Sequence, residues 1–440
     1  MDNNDDNPRS SPAEGLFSTD YYGRSLNVLE TALNEVAAYR SWRVLDPGQE
    51  QPIDARYAAM PSLTRRDIRE CAPQDFLPHN RKINLGLANE QVELVKTSGT
   101  TGIRVTVIWN QEWWNASERA SWKLNSRIAK IATGDHKEAI LASPLNVGFV
   151  SDDVMLPMEK RRVSRFLFLN EMTNPSSWTS EYMDRMIREL EVFKPVILEA
   201  NPSLLAKLCR YVAASKKMIF QPGAIVLTYE YPTRFHYQQI RRVFDVPIVS
   251  SHGSTETGYV FMQCEEGKFH QNSEFCRVDF QPLEPGKGDP ALGRILVTTF
   301  NNPWYYMVRL DLEDLVRLDD QASCPCGRHS GLILSAIEGR VKNVTLTCKG
   351  SMVTLRQLDD ALSILEGVDE YKLDQHAKDG YRLHLVTQRA DKNKLGKEAR
   401  EILSQLYGEE AKISTVFQTA IAPETSGKYN ISRTLFPLEL

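Results

Sequence analysis

Between residues 21 and about 334 the chain alternates segments whose apolar residues recur every three or four positions with short, unbroken apolar runs. The periodic segment 180–193 precedes the run 195–198, 202–214 precedes 224–227, and 233–244 precedes 247–249. A repeat of three to four puts one apolar stripe on a helix, and a short unbroken run suits a strand buried on both faces. Their alternation predicts helices crossing over a mostly parallel sheet, whose ligands bind at the carboxyl ends of strands. Beyond residue 336 the character changes. A β-rich run 340–347, a helical segment 355–365, runs 371–376 and 381–388 about an Asp379-Gly380 turn, a helix 392–407 and a run 412–420 follow. The order β-α-β-β-α-β predicts a second, small α+β domain. The expectation is an α/β protein with a polar tail 1–20, a large N-terminal domain 21–338 of parallel-rich sheets covered by helices, and a small C-terminal domain 339–440.

Composition narrows the partners. The 440 residues are 42% hydrophobic and 25% charged, with Lys+Arg 53 against Asp+Glu 57, so the chain reads as globular with no overall basic footprint for nucleic acid or an anionic membrane. A bound phosphate must then be held by local groups. No apolar run approaches the roughly 18 residues of a membrane span. The polar, acidic start lacks the basic head and apolar middle of a signal peptide, and seven Cys spread over a long chain do not suggest a disulfide framework. A reduced, cytoplasmic protein is expected; a homodimer is compatible with the sequence.

Three stretches carry candidate chemistry. Thr97-Ser98-Gly99-Thr100-Thr101-Gly102 precedes the alternating run 103–109. Its glycines let backbone amides approach an oxyanion and its hydroxyls add donors, which suits a polyphosphate; an ordinary hairpin turn has the same composition. No Lys-Ser or Lys-Thr follows the last glycine, so it is not a Walker loop. The stretch His252-Gly253-Ser254-Thr255-Glu256 follows the run 247–249. A carboxylate at a strand's end suits Mg²⁺ on phosphate oxygens, although such a glutamate also occurs in plain turns. Near the end, Ser426-Gly427-Lys428 gives a lysine that by itself reads as surface.

In this order the residues resemble the adenylate-forming superfamily of acyl-CoA ligases, and among its branches look most like the phenylacetate-CoA ligases. The resemblance runs from about Trp42 to Lys428. The family's phosphate loop matches Thr97 to Gly102, and its aromatic-Gly-x-Thr-Glu motif matches Gly253, Thr255 and Glu256, with His252 where a tyrosine is usual. Tyr229-Glu230 falls in the segment beside adenine. Arg309 and Asp314 correspond to the arginine and the ribose-binding aspartate of a motif that here loses its second arginine and its glycine, and Asp311 and Glu313 are extra acids. Gly339-Arg340-Val341-Lys342-Asn343 corresponds to the hinge, with Asn343 for an aspartate, and Lys428 falls on the catalytic lysine.

The resemblance implies a two-step reaction: ATP and a carboxylic acid give an acyl-adenylate, and a thiol, coenzyme A as the expected acceptor, then displaces AMP. It implies Lys428, Glu256 and Thr255 as catalytic, and Mg²⁺ on Glu256. The nucleotide would meet Thr97, Ser98, Gly99, Thr100, Thr101, Gly102, Glu230, His252, Gly253, Ser254, Arg309, Asp314 and Arg340. The small domain would be mobile and turn at Lys342 and Asn343. Phe149 and Tyr229 would face the acid, for which an aromatic ring is expected. An amine or a carrier-protein thiol stays open as the acceptor in specialised metabolism. Cys264, His270, Cys324 and Cys326 offer three thiols and an imidazole, enough for a closed tetrahedral Zn²⁺ site, with unrelated thiols as the other reading. Members of the phenylacetate-CoA ligase branch carry a similar set, which implies structural zinc.

Overall fold

The structure is a computed structural model of the 440-residue chain and describes residues 16–97, 105–151, 153–283, 289–321 and 323–437. Its first helix, Thr19–Glu35, is N-capped by Ser18, whose Oγ accepts from the Tyr21 amide, and the Phe17 ring stacks on Tyr21. Packing therefore starts inside the stretch expected as a tail, because Tyr21 meets Phe300 edge-on across the first core.

The crossover helices begin where side chains satisfy the first free amides. Thr179 caps Ser180–Phe193, Asn201 caps Pro202–Ser215 with proline in its first turn, and Thr233 caps Arg234–Arg241. Each leads into a strand of the predicted kind: Ile197–Ala200, Ala224–Leu227 and Ile248–Ser254 are consecutive parallel neighbours. With Glu138–Leu141 and Phe166–Phe168 they form the parallel half of a 12-stranded sheet. Strand Ile248–Ser254 then pairs antiparallel with Gly258–Gln263, and the sheet continues antiparallel through Phe269–Gln271, Ile333–Arg340, Leu310–Leu318, Leu292–Thr299 and Cys276–Pro282. The large sheet is thus mixed, since short connections between neighbouring strands reverse the chain, while parallel neighbours need a crossover.

The sheet runs to Arg340, which pairs with Asp314. The small domain has a four-stranded sheet of Lys412–Gln418, Gly380–Thr387, Val368–Ala377 and Ser432–Thr434 under helices Leu355–Leu362 and Lys392–Tyr407. The helix 392–407 stands where the sequence puts it. The run 340–347 does not join this sheet: Thr345–Leu346 pairs with Met352–Val353, and Ser432–Thr434 takes the fourth place. Among the described residues no helix is long and apolar enough to cross a membrane.

Candidate active site

The turns after the central parallel strands meet on one edge of the large sheet. Strand Ile248–Ser254 ends in a tight turn in which the Thr257 amide donates to Ser254 O at 3.2 Å and the two side-chain hydroxyls lie 3.0 Å apart. This turn presents Thr255 and the buried Glu256. Gly253 is required there, because a Cβ on it would fall 2.0 Å from Gly258 O. His252 Nε2 stands 3.3 Å from Asp314 Oδ2, and Arg340 Nε 3.2 Å from Asp314 Oδ1. Burial alone would raise the Asp314 carboxyl, but Arg340, His252 and Arg65 outweigh it and hold it down at about 2. The result is an anionic acceptor fixed from two sides.

The small domain supplies the next group. In the segment 423–430 the Gly427 amide donates to Glu424 O and the Glu424 amide to Lys428 O, both at 2.8 Å. Gly427 has φ +76, and a Cβ there would lie 2.3 Å from Ser143 Oγ on the large domain. The Tyr429 amide donates to Glu230 Oε2 at 3.0 Å, so the loop is seated between the turn after strand Ala224–Leu227 and the segment beginning at Ser143. Burial, then Arg340 and Arg65, push the Lys428 ammonium down to about 7 against the pull of Glu230 and Glu256. Ser143 Oγ and Ser251 Oγ are buried without a hydrogen-bond partner among the described residues, as befits a surface built for a polar ligand.

Lys342 and Asn343 brace this loop from behind. Lys342 Nζ lies 3.8 Å from Glu424 Oε2, and Asn343 Nδ2 donates to Asn430 Oδ1 and to Ser432 O, each at 2.7 Å.

Other expected residues stand as follows. Thr97 is buried and closes a hairpin: its amide donates to Val105 O at 2.8 Å, and its Oγ1 accepts from the Val105 amide at 3.2 Å. Ser98, Gly99, Thr100, Thr101 and Gly102 lie outside the described residues. Phe149 stacks on Phe168 with centroids 5.1 Å apart. Tyr229 takes a left-handed φ of 76° and donates its hydroxyl to Glu199. The Arg309 guanidinium pairs with Asp279 at 2.9 Å, its backbone turning at φ 51°. Asp311 explains itself structurally, accepting from the left-handed Glu313 amide at 2.7 Å and facing Arg294 at 3.3 Å. Sequence reading missed Arg65. The Leu63 amide donates to Arg309 O and the Asp311 amide to Leu63 O, both at 2.9 Å, and this pairing carries Arg65 to where its charge acts on both Asp314 and Lys428. The Thr64 to Asp67 capping box signals a helix start, but nothing local indicates where that helix docks.

The cysteine set comes together. One ligand atom from each of Cys264, His270, Cys324 and Cys326 lies within 4.8 Å of the others, with Cys264 and Cys324 sulfurs 3.8 Å apart and Cys326 Sγ 3.3 Å from His270 Nε2. Sulfurs at about 2.3 Å from a tetrahedral ion stand about 3.8 Å apart, so the donor set fits Zn²⁺. Cys276 is elsewhere, buried in the first core with its thiol on Asn272 O.

No family model and no curated protein matches the chain. Among solved structures, 2-hydroxyisobutyryl-CoA ligase in the postadenylation state with 2-HIB-AMP matches 97% of this chain and 94% of that one, with a TM-score of 0.70 at 15% identity. The same ligase with 2-HIB-AMP and CoA in the thioesterification state matches at TM-score 0.57 and 16% identity, over 94% of this chain and 88% of that one. An anthranilate CoA ligase in complex with anthranoyl-AMP matches at 0.54 and 13% identity, over 77% and 65%. The chain therefore has the fold of these ligases.

Proposed function

We infer that this chain, with the fold of the adenylate-forming CoA ligases, activates a carboxylic acid with ATP to an acyl-adenylate and passes the acyl group to a thiol, that of coenzyme A. The reading is carried by the seating of the Lys428 loop on Glu230 of the large domain, where Glu256 and the Arg340 that holds Asp314 are near enough to act on its ammonium. In the first step a carboxylate oxygen attacks the α-phosphorus and pyrophosphate leaves. Lys428 would lie where negative charge crowds in that transition state, and Asp314 would accept the ribose hydroxyls with its orientation fixed by Arg340. His252 offers a ring to adenine, Glu230 and Tyr429 line the same wall, and Thr97 anchors the loop whose Ser98 to Gly102 would cradle the phosphates. Mg²⁺, when bound, neutralises phosphate charge, and Glu256 would hold it with Thr255 beside it. In the second step a thiolate attacks the acyl carbon and AMP leaves, after the small domain turns at Lys342 and Asn343.

A pyrophosphate-exchange assay tests this. Lys428→Ala should lower exchange by on the order of 10²-fold or more, as for a lost oxyanion donor; equal rates would remove Lys428 from the first step.

Zn²⁺ on Cys264, His270, Cys324 and Cys326 would leave no open position and so do no chemistry. It would tie the hairpin after Glu256 to the loop after the Asp314 strand. Metal analysis of protein purified without added zinc should find about one equivalent; under half an equivalent would sink the assignment.

A further inference from the structure

A second set of ionisable groups is linked to the Lys428 loop through Tyr229, which reaches Glu199 and whose neighbour Glu230 accepts from the Tyr429 amide. Glu199 pairs in register with Ile140 on one side and Val226 on the other, and Val226 with Val249. Alternate residues of a strand share a face, so Ser251 stands on the face of Glu199, one pleat nearer the strand ends. The same face carries the core of Ile197, Val226, Val249 and Met262, and Met262 pairs with Ser251. Helix Gln111–Trp122 contributes Glu118. Tyr229 donates to Glu199 Oε1, while Tyr259 Oη lies 3.1 Å from Glu199 Oε2 and 3.0 Å from Glu118 Oε1.

This cluster is short of positive charge. Glu118, Glu138 and Glu199 are 3%, 1% and 6% exposed; Arg165 pairs with Glu118 and Glu138, and the exposed Arg119 adds a weaker pull on Glu118. His136 beside Glu138 does not make up the difference, since burial and Arg165 hold its pKa below the usual range. Tyr259 has one hydroxyl hydrogen for two carboxylates, so the second contact needs an acid proton. Burial and the neighbouring Glu118 push Glu199 up to about 7, which makes it a site for that proton. Buried carboxylates of this kind call for a cation.

Two independent observations direct that cation. Ser251 Oγ, 7% exposed and without a hydrogen-bond partner among the described residues, faces the same side of the sheet between Glu199 and the strand ends. Tyr229 is held in the left-handed region, strained for a residue with a side chain, and adjoins Glu230, which receives the Tyr429 amide next to Lys428. A substrate with its carboxylate at Lys428 would extend over Ser251 toward Glu199.

We propose that Glu199 is the specificity-determining residue, and that the acid activated here carries a basic amine at the end remote from its reacting carboxylate, the ammonium being received by Glu199 and Glu118 between Tyr229 and Tyr259. The proposal rests on the adenylation reading above. On binding, the proton held on Glu199 leaves to solvent and the ammonium takes its place, so charge balances. An acid with a methyl group there leaves the proton on Glu199 and sets an apolar group against buried polar oxygens with no donor to offer them, and sites with buried polar groups reject such analogues strongly.

The test measures pyrophosphate release for matched acids: para-(aminomethyl)benzoate against para-ethylbenzoate, and δ-aminovalerate against hexanoate. Wild-type kcat/KM should favour the amine in at least one pair by on the order of 10²-fold. In Glu199→Gln that ratio should collapse toward one, and Tyr229→Phe, which removes a donor to Glu199 while keeping the ring, should lower it to an intermediate value. Equal or better use of the amine-free acids by wild type overturns the proposal without any variant, as does an unchanged ratio in folded Glu199→Gln. Activation without amine preference leaves the adenylation reading standing. Pyrophosphate release from none of the four acids, together with no pyrophosphate exchange, would remove both readings.

Discussion

Lys428 has an ammonium that burial and two guanidiniums have brought down to about 7. Its proposed role needs the cation. For the free enzyme, kcat/KM of the first step should therefore fall as pH rises through about 7, and remain level on the acid side until other groups titrate. In Lys428→Arg the guanidinium stays charged, so that inflection should vanish from the pH profile of pyrophosphate exchange even though the rate is lower. An unchanged inflection would assign it to another group. Lys428, Glu256 and Asp314 were named through the resemblance of the motifs around them, since Lys428 by itself reads as a surface lysine and Asp314 as one acid in an alternating Leu and acid run. Arg65 and Glu199 were not. Arg65 reaches the site through a pairing of Leu63 with residues almost 250 positions away, and Glu199 looks like a polar interruption of a buried strand until Tyr229 and Tyr259 are seen to converge on it.

At the level of elements, the departure at Asn343 acquires a reason. Its amide nitrogen donates to both Asn430 Oδ1 and Ser432 O, and Asn343 is 8% exposed. A carboxylate there would face two acceptors. Asn343→Asp should therefore destabilise the small domain by about 1–3 kcal/mol, the cost of leaving buried polar groups unpaired, visible as a lower thermal midpoint; a midpoint at or above wild type would refute it. The helices of this domain were readable from their stripes of apolar residues. Its fourth strand was not, for Ser432–Thr434 is three residues long and too short to display alternation. The run 340–347, which reads as one strand, is instead shared out, because Arg340 completes the pairing with Asp314 and Thr345 starts a separate two-stranded piece.

Across the whole molecule, the two domains are held together by a mixed contact. Phe235 of the large domain is 1% exposed within the core of the small one, edge-on to Tyr371. Around it Arg234 Nε meets Asp360 Oδ1 at 2.9 Å, Gln239 Nε2 donates to Asp369 O at 2.6 Å, and Arg210 pairs with Glu370. Phe235→Ala should loosen this arrangement by about 3–5 kcal/mol, the usual cost of removing a buried ring. Pyrophosphate exchange should fall several-fold or more, while thioester formation from a supplied acyl-adenylate is spared; equal loss of both steps would mean that the contact serves folding alone. The large sheet's change from parallel to antiparallel was hidden from sequence, since a buried antiparallel strand carries the same unbroken apolar run as a parallel one.

The brace behind Lys428 gives the proposed cycle a direction. Because Lys342 and Asn343 grip Glu424, Asn430 and Ser432, the proposed pivot and the lysine loop would travel as one piece. Any swing that clears a path for the incoming thiol thereby carries off the group that would help pyrophosphate run the first step backward. In the proposed cycle the fold would then work as an interlock: the gate to the second reaction would not open while the return route of the first is still staffed.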